Sequence, residues 1–365
     1  MKIKYLALAA VLFSFAACNE NEDKPVNTGD ADEGVLVMCE GVFGMNNGSL
    51  SYIGKDAAGA SAVVSDVFSL VNNRGLGDTP NDAIVCGENV YVAVSSANTI
   101  EVIDAKTGKS VKQIQLAEGD EQVQPRHLVA DGDYVYVSAY NSVIYAIDTK
   151  TLEVAKTCKV SGASPEGICA INGKLYVANS GGMNYPNYDS TLSIINTKTM
   201  TEEKVLTVGL NPCKVERINN SLLCVQVIGN YVDIAGKLVI INVDDMSVSK
   251  TIEISASNFI VNNGSLIGYA TTYDANWTPC VEFFTTNESF EIQPFVLQDS
   301  SKLVTPYSLS INPANGNIYV GDAVDYTTTG ALMSFKADGS YVSRTEGLGI
   351  NPSKILFARM DIEKR

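Results

Sequence analysis

The fold of this chain is set by the stretch from residue 79 to residue 116, which reads TPNDAIV (79–85), NVYVAV (89–94), TIEVID (99–104), KTG (106–108) and VKQIQL (111–116). Val, Ile and Tyr at alternate positions suit pleated, half-buried strands. Short polar turns separate the apolar runs, so the stretch predicts four antiparallel strands joined by tight connections. A unit of this length and order is typical of one blade of a β-propeller.

The same unit recurs along the chain. Each copy begins at a proline, or near Ser257-Asn258 in the one copy without a proline. It continues with a short apolar strand and turns at a polar dipeptide such as Asn172-Gly173. Glycine and asparagine tolerate the positive φ that tight hairpin turns require. The starts lie at residues 80, 125, 165, 212, near 257, 306 and 352, about 40 to 50 residues apart, as in propeller blades. The spacing predicts seven blades, or one fewer if the start near 257, which lacks a proline, does not open a blade.

The two ends of the chain complement each other. Only one strand, within residues 352–359, follows the last start, whereas the N-terminal part supplies three strands without a start, at 35–39, 50–53 and 62–68. We therefore predict that both ends share one blade, because this closure removes the open junction between the first and last blades. The sequence predicts an all-β, seven-bladed propeller with four-stranded blades over residues 34–360, a C-terminal tail at 361–365, and no amphipathic helix after the leader.

Residues 1–17 have the features of a secretory signal. Lys2 and Lys4 precede an apolar run, residues 5–17, that is too short to span a membrane as a stable helix. The context Phe15-Ala16-Ala17-Cys18 resembles a bacterial lipobox, and the acidic tether at 18–33 resembles the surface-export signal of Bacteroidota lipoproteins. We predict lipidation of Cys18 and a lipid-anchored protein on the outer face of the outer membrane. The alternatives are an ordinary signal with a chance cysteine, and a spacer that faces the periplasm.

Charge and cysteine content narrow the function classes. The formal net charge is −15 and no Lys/Arg cluster occurs, which argues against nucleic acid as a partner and against polybasic membrane binding. Apart from Cys18, seven cysteines are scattered along the chain, most of them inside apolar strands, and none forms a C-x-x-C pair. This spacing indicates neither a zinc site nor a redox motif, and it leaves the disulfide state open.

The loops after the second strand are long and rich in Tyr and Asn in several blades, whereas those after the third strand are plain turns. Tyr and Trp combine rigid apolar surface with a polar tip, and Asn both donates and accepts hydrogen bonds. We predict that this face binds a sizeable ligand with many neutral amides or hydroxyls; the alternative is that these residues only form turns and cover blade edges. The candidate ligand-binding residues are Phe43, Asn46, Asn47, Arg74, Asp78, Asn81, Arg126, Tyr140, Asn141, Asn184, Tyr185, Tyr188, Asn230, Tyr231, Tyr273, Asn276, Trp277, Asp325 and Tyr326.

Catalysis receives little support from the sequence. The single histidine, His127, follows Pro125-Arg126, and the sequence does not place partners for a metal site or a Ser-His-Asp triad around it. We interpret it as a structural residue on an inner strand and expect no catalytic residue, no metal site, no cofactor and no enzymatic activity. Two alternatives stay open: a calcium-dependent lactonase or lyase that uses the plentiful carboxylates, and a protein- or glycan-binding scaffold.

Two stretches resemble YncE-like propeller lipoproteins of Bacteroidota: GVLVMCEGVFGMNNGSLS (34–51) and RGLGDTPND (74–82). In the first, Cys39 and Val42 stand where that family usually has Asn. The resemblance covers residues 34–360 and implies a seven-bladed propeller. Its best-known members, the BtuG-type surface lipoproteins, capture cobalamin and pass it to a TonB-dependent outer-membrane transporter. The resemblance therefore implies a corrinoid ligand, such a transporter as partner, and a protein that is monomeric apart from that partner.

Overall fold

The computed structural model describes residues 34–55, 61–116, 122–276 and 278–361. The predicted signal peptide, Cys18, the acidic tether, Trp277 and most of the C-terminal tail lie outside these ranges. Within them, the strands form seven antiparallel sheets of four. No helix in the described ranges is long and apolar enough to cross a membrane.

The strands are numbered along the chain. The first fifteen are β1 (Gly34–Cys39), β2 (Ser49–Lys55), β3 (Ser61–Val64), β4 (Pro80–Cys86), β5 (Asn89–Val94), β6 (Thr99–Asp104), β7 (Ser110–Gln115), β8 (Pro125–Asp131), β9 (Tyr134–Ala139), β10 (Val143–Asp148), β11 (Glu153–Lys159), β12 (Pro165–Ile171), β13 (Lys174–Asn179), β14 (Thr191–Asn196) and β15 (Thr201–Thr207). The others are β16 (Pro212–Arg217), β17 (Leu222–Val227), β18 (Lys237–Asn242), β19 (Ser247–Ile252), β20 (Asn258–Asn262), β21 (Ser265–Tyr273), β22 (Pro279–Thr286), β23 (Ile292–Pro294), β24 (Pro306–Ile311), β25 (Ile318–Asp322), β26 (Ala331–Phe335), β27 (Tyr341–Glu346) and β28 (Pro352–Phe357). An α-helix, α1 (Val67–Asn72), and two 3₁₀ turns, Gly182–Asn184 and Ser300–Lys302, complete the assignment.

The ring is closed by both ends of the chain, as predicted. Strand β28 pairs antiparallel with β1, with Val37 opposite Ile355, and the sheet runs β28-β1-β2-β3. We call this sheet blade 1 and the six that follow along the chain blades 2 to 7. The weak start near residue 257 does open a blade, since β20 begins at Asn258 and leads a four-stranded sheet. The seven-bladed all-β prediction is therefore confirmed.

The core lies between neighbouring blades rather than within one sheet. Outside blade 6, the second and third strands of the blades are mostly buried, and apolar clusters bridge adjacent sheets; Tyr91 of β5, for example, packs in one cluster with Val137 of β9. Burying a side chain of this size contributes about 1.5–3 kcal/mol. The outer strands carry charges, such as Glu202, Glu203 and Lys204 in β15, and charged edges discourage pairing with another chain.

One segment differs from the prediction. The third N-terminal strand was expected to span residues 62–68, but β3 ends at Val64 and α1 follows. The Asp66 side chain caps the helix by accepting a hydrogen bond from Ser69 N at 3.1 Å, which offsets the orphan donors of a helix start. Val67 and Phe68 are buried in the cluster that joins blades 1 and 2. Packing of this pair against both blades outweighs the strand propensity of the sequence.

The start of an inner strand has a repeated backbone geometry. The residue before the proline has a left-handed φ in five blades, at Thr79, Gln124, Ser164, Asn211 and Asn351. Its carbonyl accepts a hydrogen bond from the first amide after the second strand, as in Ser95 N to Thr79 O at 3.0 Å. The pairing register then shifts just after the proline in blades 1 to 5 and 7. Such bulges re-aim side chains, and here they direct the residues after each proline to the central channel.

Candidate functional site: the channel mouth

Charged residues at the starts of four inner strands form a cluster on the propeller axis. Lys354 Nζ lies 2.7 Å from Asp82 Oδ1, and Asp82 Oδ2 lies 3.5 Å from His127 Nδ1. On its other side, His127 Nε2 lies 3.6 Å from Glu166 Oε2, which also accepts a hydrogen bond from Arg126 Nε at 3.0 Å. We call these five residues the axial cluster. They come from β28, β4, β8 and β12, so only the closed ring brings them together.

Burial and mutual charge both act on this cluster. Burial by itself would raise the pKa of Asp82, but Lys354 and then His127 outweigh it and hold that pKa well below its usual range. Burial likewise would lower the pKa of Arg126, whereas Glu166 raises it, and the net shift is upward. The guanidinium stacks 4.5 Å from the Tyr140 ring centroid. Arg126 and Asp82 therefore stay charged at neutral pH. Arg126 holds Glu166 in place, and Asp82 holds Lys354 and His127.

The other inner strands extend the polar ring. Lys214 Nζ of β16 donates to Asn258 Oδ1 of β20 at 2.9 Å and lies 3.3 Å from Glu216. Tyr307 of β24 donates to Glu40 Oε2 at 2.6 Å. Glu40 belongs to the connection between β1 and β2, and burial raises the pKa of its carboxyl above the usual value. All seven inner strands thus place a polar side chain at the channel mouth.

The polar inner-strand side chains at the channel mouth form what we call the polar floor. Exposed apolar side chains surround it. Because successive strands run antiparallel, the connections between second and third strands and those between blades open on one face, which we call the loop face. Its second-to-third connections, with the adjoining end of β21, carry the rim: Phe43, Met45, Met183, Tyr185, Tyr231, Val232, Ile234, Tyr273 and Tyr326. Among the described residues, none of the exposed large apolar side chains lies in the turns of the opposite face. Clustered exposure of this kind marks interaction surfaces, whereas single exposed apolar residues are ordinary.

Part of the rim is a connected aromatic run. The Tyr185 and Tyr188 rings lie 5.9 Å apart edge to face, and Tyr188 lies 6.3 Å from Tyr231 in the same manner. Tyr326 contacts Tyr307 at 5.9 Å, which joins the rim to the polar floor. Edge-to-face pairs hold rings in place, so the aromatic run offers a ready surface for a flat ligand.

The structure divides the sequence-predicted residues by position. Asn81, Arg126 and Tyr140 lie at the axis: Asn81 Nδ2 donates to Arg126 O at 2.8 Å, and the Tyr140 hydroxyl donates to Glu166. Tyr326 lies beside them on Tyr307. Phe43, Tyr185, Tyr231 and Tyr273 belong to the rim, and the half-buried Tyr188 contacts two of them. The exposed loop positions Asn46, Asn184 and Asn276 lie on the same face. Trp277 lies outside the described residues.

Several predicted residues use their polar atoms within or between loops. Asn47 Oδ1 accepts from Val42 N at 2.8 Å, and the Asp78 carboxylate accepts from Gly44 N. Asn141, Asn230 and Asp325 accept backbone amides of their own loops in the same way.

Arg74 is not brought to the axis. It bonds Glu101 on β6 at 2.7 Å and Ser110 on β7, because the fully buried Glu101 carboxylate requires a cationic partner.

The axial residues Glu40, Asp82, Glu166, Lys214, Tyr307 and Lys354 were absent from the sequence-based list. A signal for most of them was present, since Asp82, Glu166, Lys214 and Lys354 stand one or two positions after a blade-start proline.

Among the described residues, no group of three His, Cys, Asp or Glu side chains is placed to hold a metal ion.

Comparison with known proteins agrees with the fold. Residues 33–185 match the family model described as "Domain of unknown function (DUF5074)", and no curated protein matches the chain. The chain is similar to a quinonprotein alcohol dehydrogenase-like protein from Bacteroides thetaiotaomicron, with 14% identity and a TM-score of 0.63 over 90% of this chain and 78% of that one.

Two further solved propellers carry lactonase names. One is a candidate 6-phosphogluconolactonase from Bacteroides uniformis, with 12% identity and a TM-score of 0.63 over 89% of this chain and 99% of that one. The other is the periplasmic gluconolactonase of Pseudomonas aeruginosa, with 12% identity and a TM-score of 0.58 over the same shares. At such identities the similarity establishes the fold alone.

The expectation that this chain is not an enzyme is wrong as an inference from its sequence, because propellers of the same architecture bear lactonase names. The expectation rested on missing motifs and on a histidine without visible partners. The structure supplies two carboxylates for that histidine, Asp82 and Glu166.

Proposed function

We propose that the loop face binds a large, flat, amide-rich ligand, and that this ligand is a corrinoid. The observation that carries the proposal is the combination of an aromatic and apolar rim with a polar floor whose charges are already paired. A corrin macrocycle has apolar faces for such a rim and many peripheral amides for such a floor. Binding sites of this kind are mostly apolar, with a few well-placed polar groups.

The pairing on the floor favours neutral ligand groups. Arg126 pairs with Glu166, and Lys354 pairs with Asp82. A charged ligand group would have to displace one of these partners, and breaking a buried pair is costly. Amides and hydroxyls can instead bond to remaining donor and acceptor atoms without separating the charges. The floor therefore suits a corrinoid's amides better than it suits a polyanion.

The proposal extends to location and partner. The N-terminal signal and Cys18 would anchor the propeller in the outer membrane, facing outward through the acidic tether. A corrinoid captured there would pass to a TonB-dependent transporter, as the resemblance to BtuG-type lipoproteins implies. Release of the protein by detergent from outer membranes, and its loss from them in a Cys18→Ala variant, would support the anchor; an unchanged distribution would contradict it.

Binding can be tested with the chain from residue 19 onward and cyanocobalamin. We expect corrin absorbance to co-elute with the protein on gel filtration at micromolar concentrations. The double variant Tyr185→Ala/Tyr231→Ala should lose at least about tenfold in affinity, because two rim aromatics are removed. The matched control is Val111→Ala/Val248→Ala, which truncates two exposed apolar residues on outer strands. Absence of co-elution with the unaltered chain would refute corrinoid binding.

A second function is favoured by one observation, the position of His127 between two carboxylates at 3.5 and 3.6 Å. Both ring nitrogens face carboxylates, so His127 acts as a general base through the nitrogen at which water replaces the carboxylate contact, and Arg126 lies beside it to stabilise an oxyanion. The reaction would be lactone hydrolysis: His127 takes a proton from water as the water oxygen attacks the carbonyl carbon, and it returns that proton to the ring oxygen as the ring carbon–oxygen bond breaks, which leaves a carboxylic acid and a hydroxyl. Gluconolactone turnover above the spontaneous rate, lost in His127→Gln, would support it, whereas equal rates in both proteins would dismiss it.

A further inference from the structure

A cavity lies off the axis, between blades 5 and 6. Its volume is about 540 Å³, within the range of about 300–1,000 Å³ that is usual for small-ligand sites. Tyr231, Val232 and Ile234 of the connection between β17 and β18 form one wall, and Ala256, Ser257 and Thr271 form the other. We call it the blade-5 pocket; none of the residues that line it belongs to the axial cluster.

The wall of this pocket is held rigidly by its own side chains. Asn230 Oδ1 accepts hydrogen bonds from the backbone amides of Val232, Asp233 and Ile234 at 3.0, 3.0 and 2.8 Å. Gly229 closes the loop at φ 82°, where a Cβ atom would come within 1.9 Å of Ile234 O. A pocket that exists before binding does not require ordering of its loop when the ligand arrives, and this favours affinity.

The opposite wall of the pocket is also held by hydrogen bonds within the protein. Gln226 Nε2 donates to Ala256 O at 2.6 Å from a buried position. Ser257 Oγ accepts from Thr271 N at 2.9 Å, so its hydroxyl hydrogen is oriented away from that amide. The two walls therefore face each other across a space whose shape is set by hydrogen bonds within the protein.

The chemistry of the lining selects one class of group. Of the described residues that line the pocket, none is Lys, Arg or His, and Asp233 supplies a carboxylate, so a negatively charged group is disfavoured. Apolar side chains and the exposed Tyr231 ring offer flat apolar surface, while Ser257 and Thr271 offer hydroxyls. A flat neutral heteroaromatic group, with apolar faces and one or two polar ring atoms, meets both conditions.

The pocket is also continuous with the rim. Tyr231 lines the pocket and at the same time contacts Tyr188, which contacts Tyr185. A ligand that rests on this aromatic run can therefore place a second group beside Tyr231. We propose that the blade-5 pocket is a separate subsite for a flat, neutral heteroaromatic group of the ligand. This inference rests on the proposed corrinoid function, and the group is then the benzimidazole base of cobalamin.

Comparison of two corrinoids tests the subsite. Cyanocobalamin carries the base, and dicyanocobinamide lacks the whole nucleotide loop. We expect the chain from residue 19 to bind cyanocobalamin at least about tenfold more tightly. Ser257→Trp, which fills the pocket from an exposed position, should reduce cyanocobalamin affinity to the cobinamide level and leave cobinamide affinity within about twofold. Ser289→Trp, an exposed serine on the opposite face, is the matched control and should change neither.

Two results would overturn the subsite while the corrinoid function stands: equal affinities of the unaltered chain for both ligands, or an equal loss for both in Ser257→Trp. If neither corrinoid binds, the proposed function fails, and the pocket is judged with free 5,6-dimethylbenzimidazole by saturation-transfer NMR. A signal with the unaltered chain that disappears in Ser257→Trp supports the subsite. No signal, or one that persists in Ser257→Trp, overturns it.

Discussion

Lys354→Met should destabilise the propeller by removing the cation that pairs with Asp82. Lys354 Nζ lies 2.7 Å from Asp82 Oδ1, and the Asp82 side chain is only 5% exposed. Removing one partner of a buried pair costs about 3–5 kcal/mol. The Lys354 side chain is 38% exposed, so solvent screens part of the pair, and His127 remains 3.5 Å from the carboxylate. We therefore expect a loss of about 2 kcal/mol in unfolding free energy near pH 7.

The loss should depend on pH. In the unaltered protein the pKa of Asp82 lies below its usual range, since Lys354 and His127 outweigh the effect of burial. A carboxylate with a depressed pKa contributes stability above its unfolded pKa of about 3.9, and that contribution is lost as pH falls through the folded pKa. In the variant, burial dominates, the pKa of Asp82 rises, and protonation relieves the unpaired charge. The two proteins should therefore differ most at about pH 7 to 8 and least towards about pH 4.

Thermal and urea unfolding of the chain from residue 19, at both pH values, measures this difference. The matched control is Lys112→Met, which breaks a 3.4 Å pair with Glu153, a residue whose side chain is 72% exposed; it should cost less than about 0.5 kcal/mol. The double variant Lys354→Met/Asp82→Asn should recover part of the loss, because no unpaired charge remains. If Lys354→Met matched Lys112→Met, or if its effect were the same at both pH values, the reasoning about the axial cluster would be refuted.

Three further predictions concern the scaffold. Deletion of residues 352–361 removes β28 and leaves β1 with an open edge, so gel filtration should show aggregates instead of a monomer; a monomer with unchanged circular dichroism would contradict the closure argument. Gly229→Ala should cost about 1–3 kcal/mol, because its Cβ would meet Ile234 O, whereas Gly87→Ala, with φ 60° and open space around it, should cost less in the same melting assay. Asp66→Ala should lose about 1 kcal/mol with the α1 cap; no change in urea unfolding would show that the cap is dispensable.

The blade repeat was readable from the sequence because each blade folds from contiguous residues. Strand periodicity, turn dipeptides and blade-start prolines are local features, and together they predict the shared blade and a count of seven blades, or one fewer if the start near 257, which has no proline, opens none. The α1 helix was missed since Val67 and Phe68 suit a strand equally well, and only their burial between blades 1 and 2 decides for a helix. Local propensity depends on neighbouring residues in the sequence, so it does not predict the packing of α1 against two blades.

The axial cluster was missed for a related reason. Lys354 and Asp82 are far apart in the sequence and meet only when β28 closes blade 1 beside blade 2. The long Tyr- and Asn-rich loops predict ligand contacts, yet Asn230 and Asp325 accept hydrogen bonds from backbone amides of their own loops. Amide and carboxylate side chains in loops serve turns as readily as ligands, so composition by itself does not separate the two roles.

In this propeller the fold determines where the inner-strand side chains lie but not which residues occupy those places. A structural neighbour therefore does not establish the chemistry of this chain. The left-handed residue, the proline and the register shift fix where an inner-strand side chain lies, whichever residue follows the proline. The residues at those places differ from blade to blade: Asp82 and Lys214 both stand two positions after the proline and carry opposite charges. A neighbour at 12% identity therefore shares the positions without having to share the groups. The two proposed functions are therefore tested on this chain's own residues: the corrinoid assay on the rim, through Tyr185→Ala/Tyr231→Ala, and the lactone assay on the axial cluster, through His127→Gln.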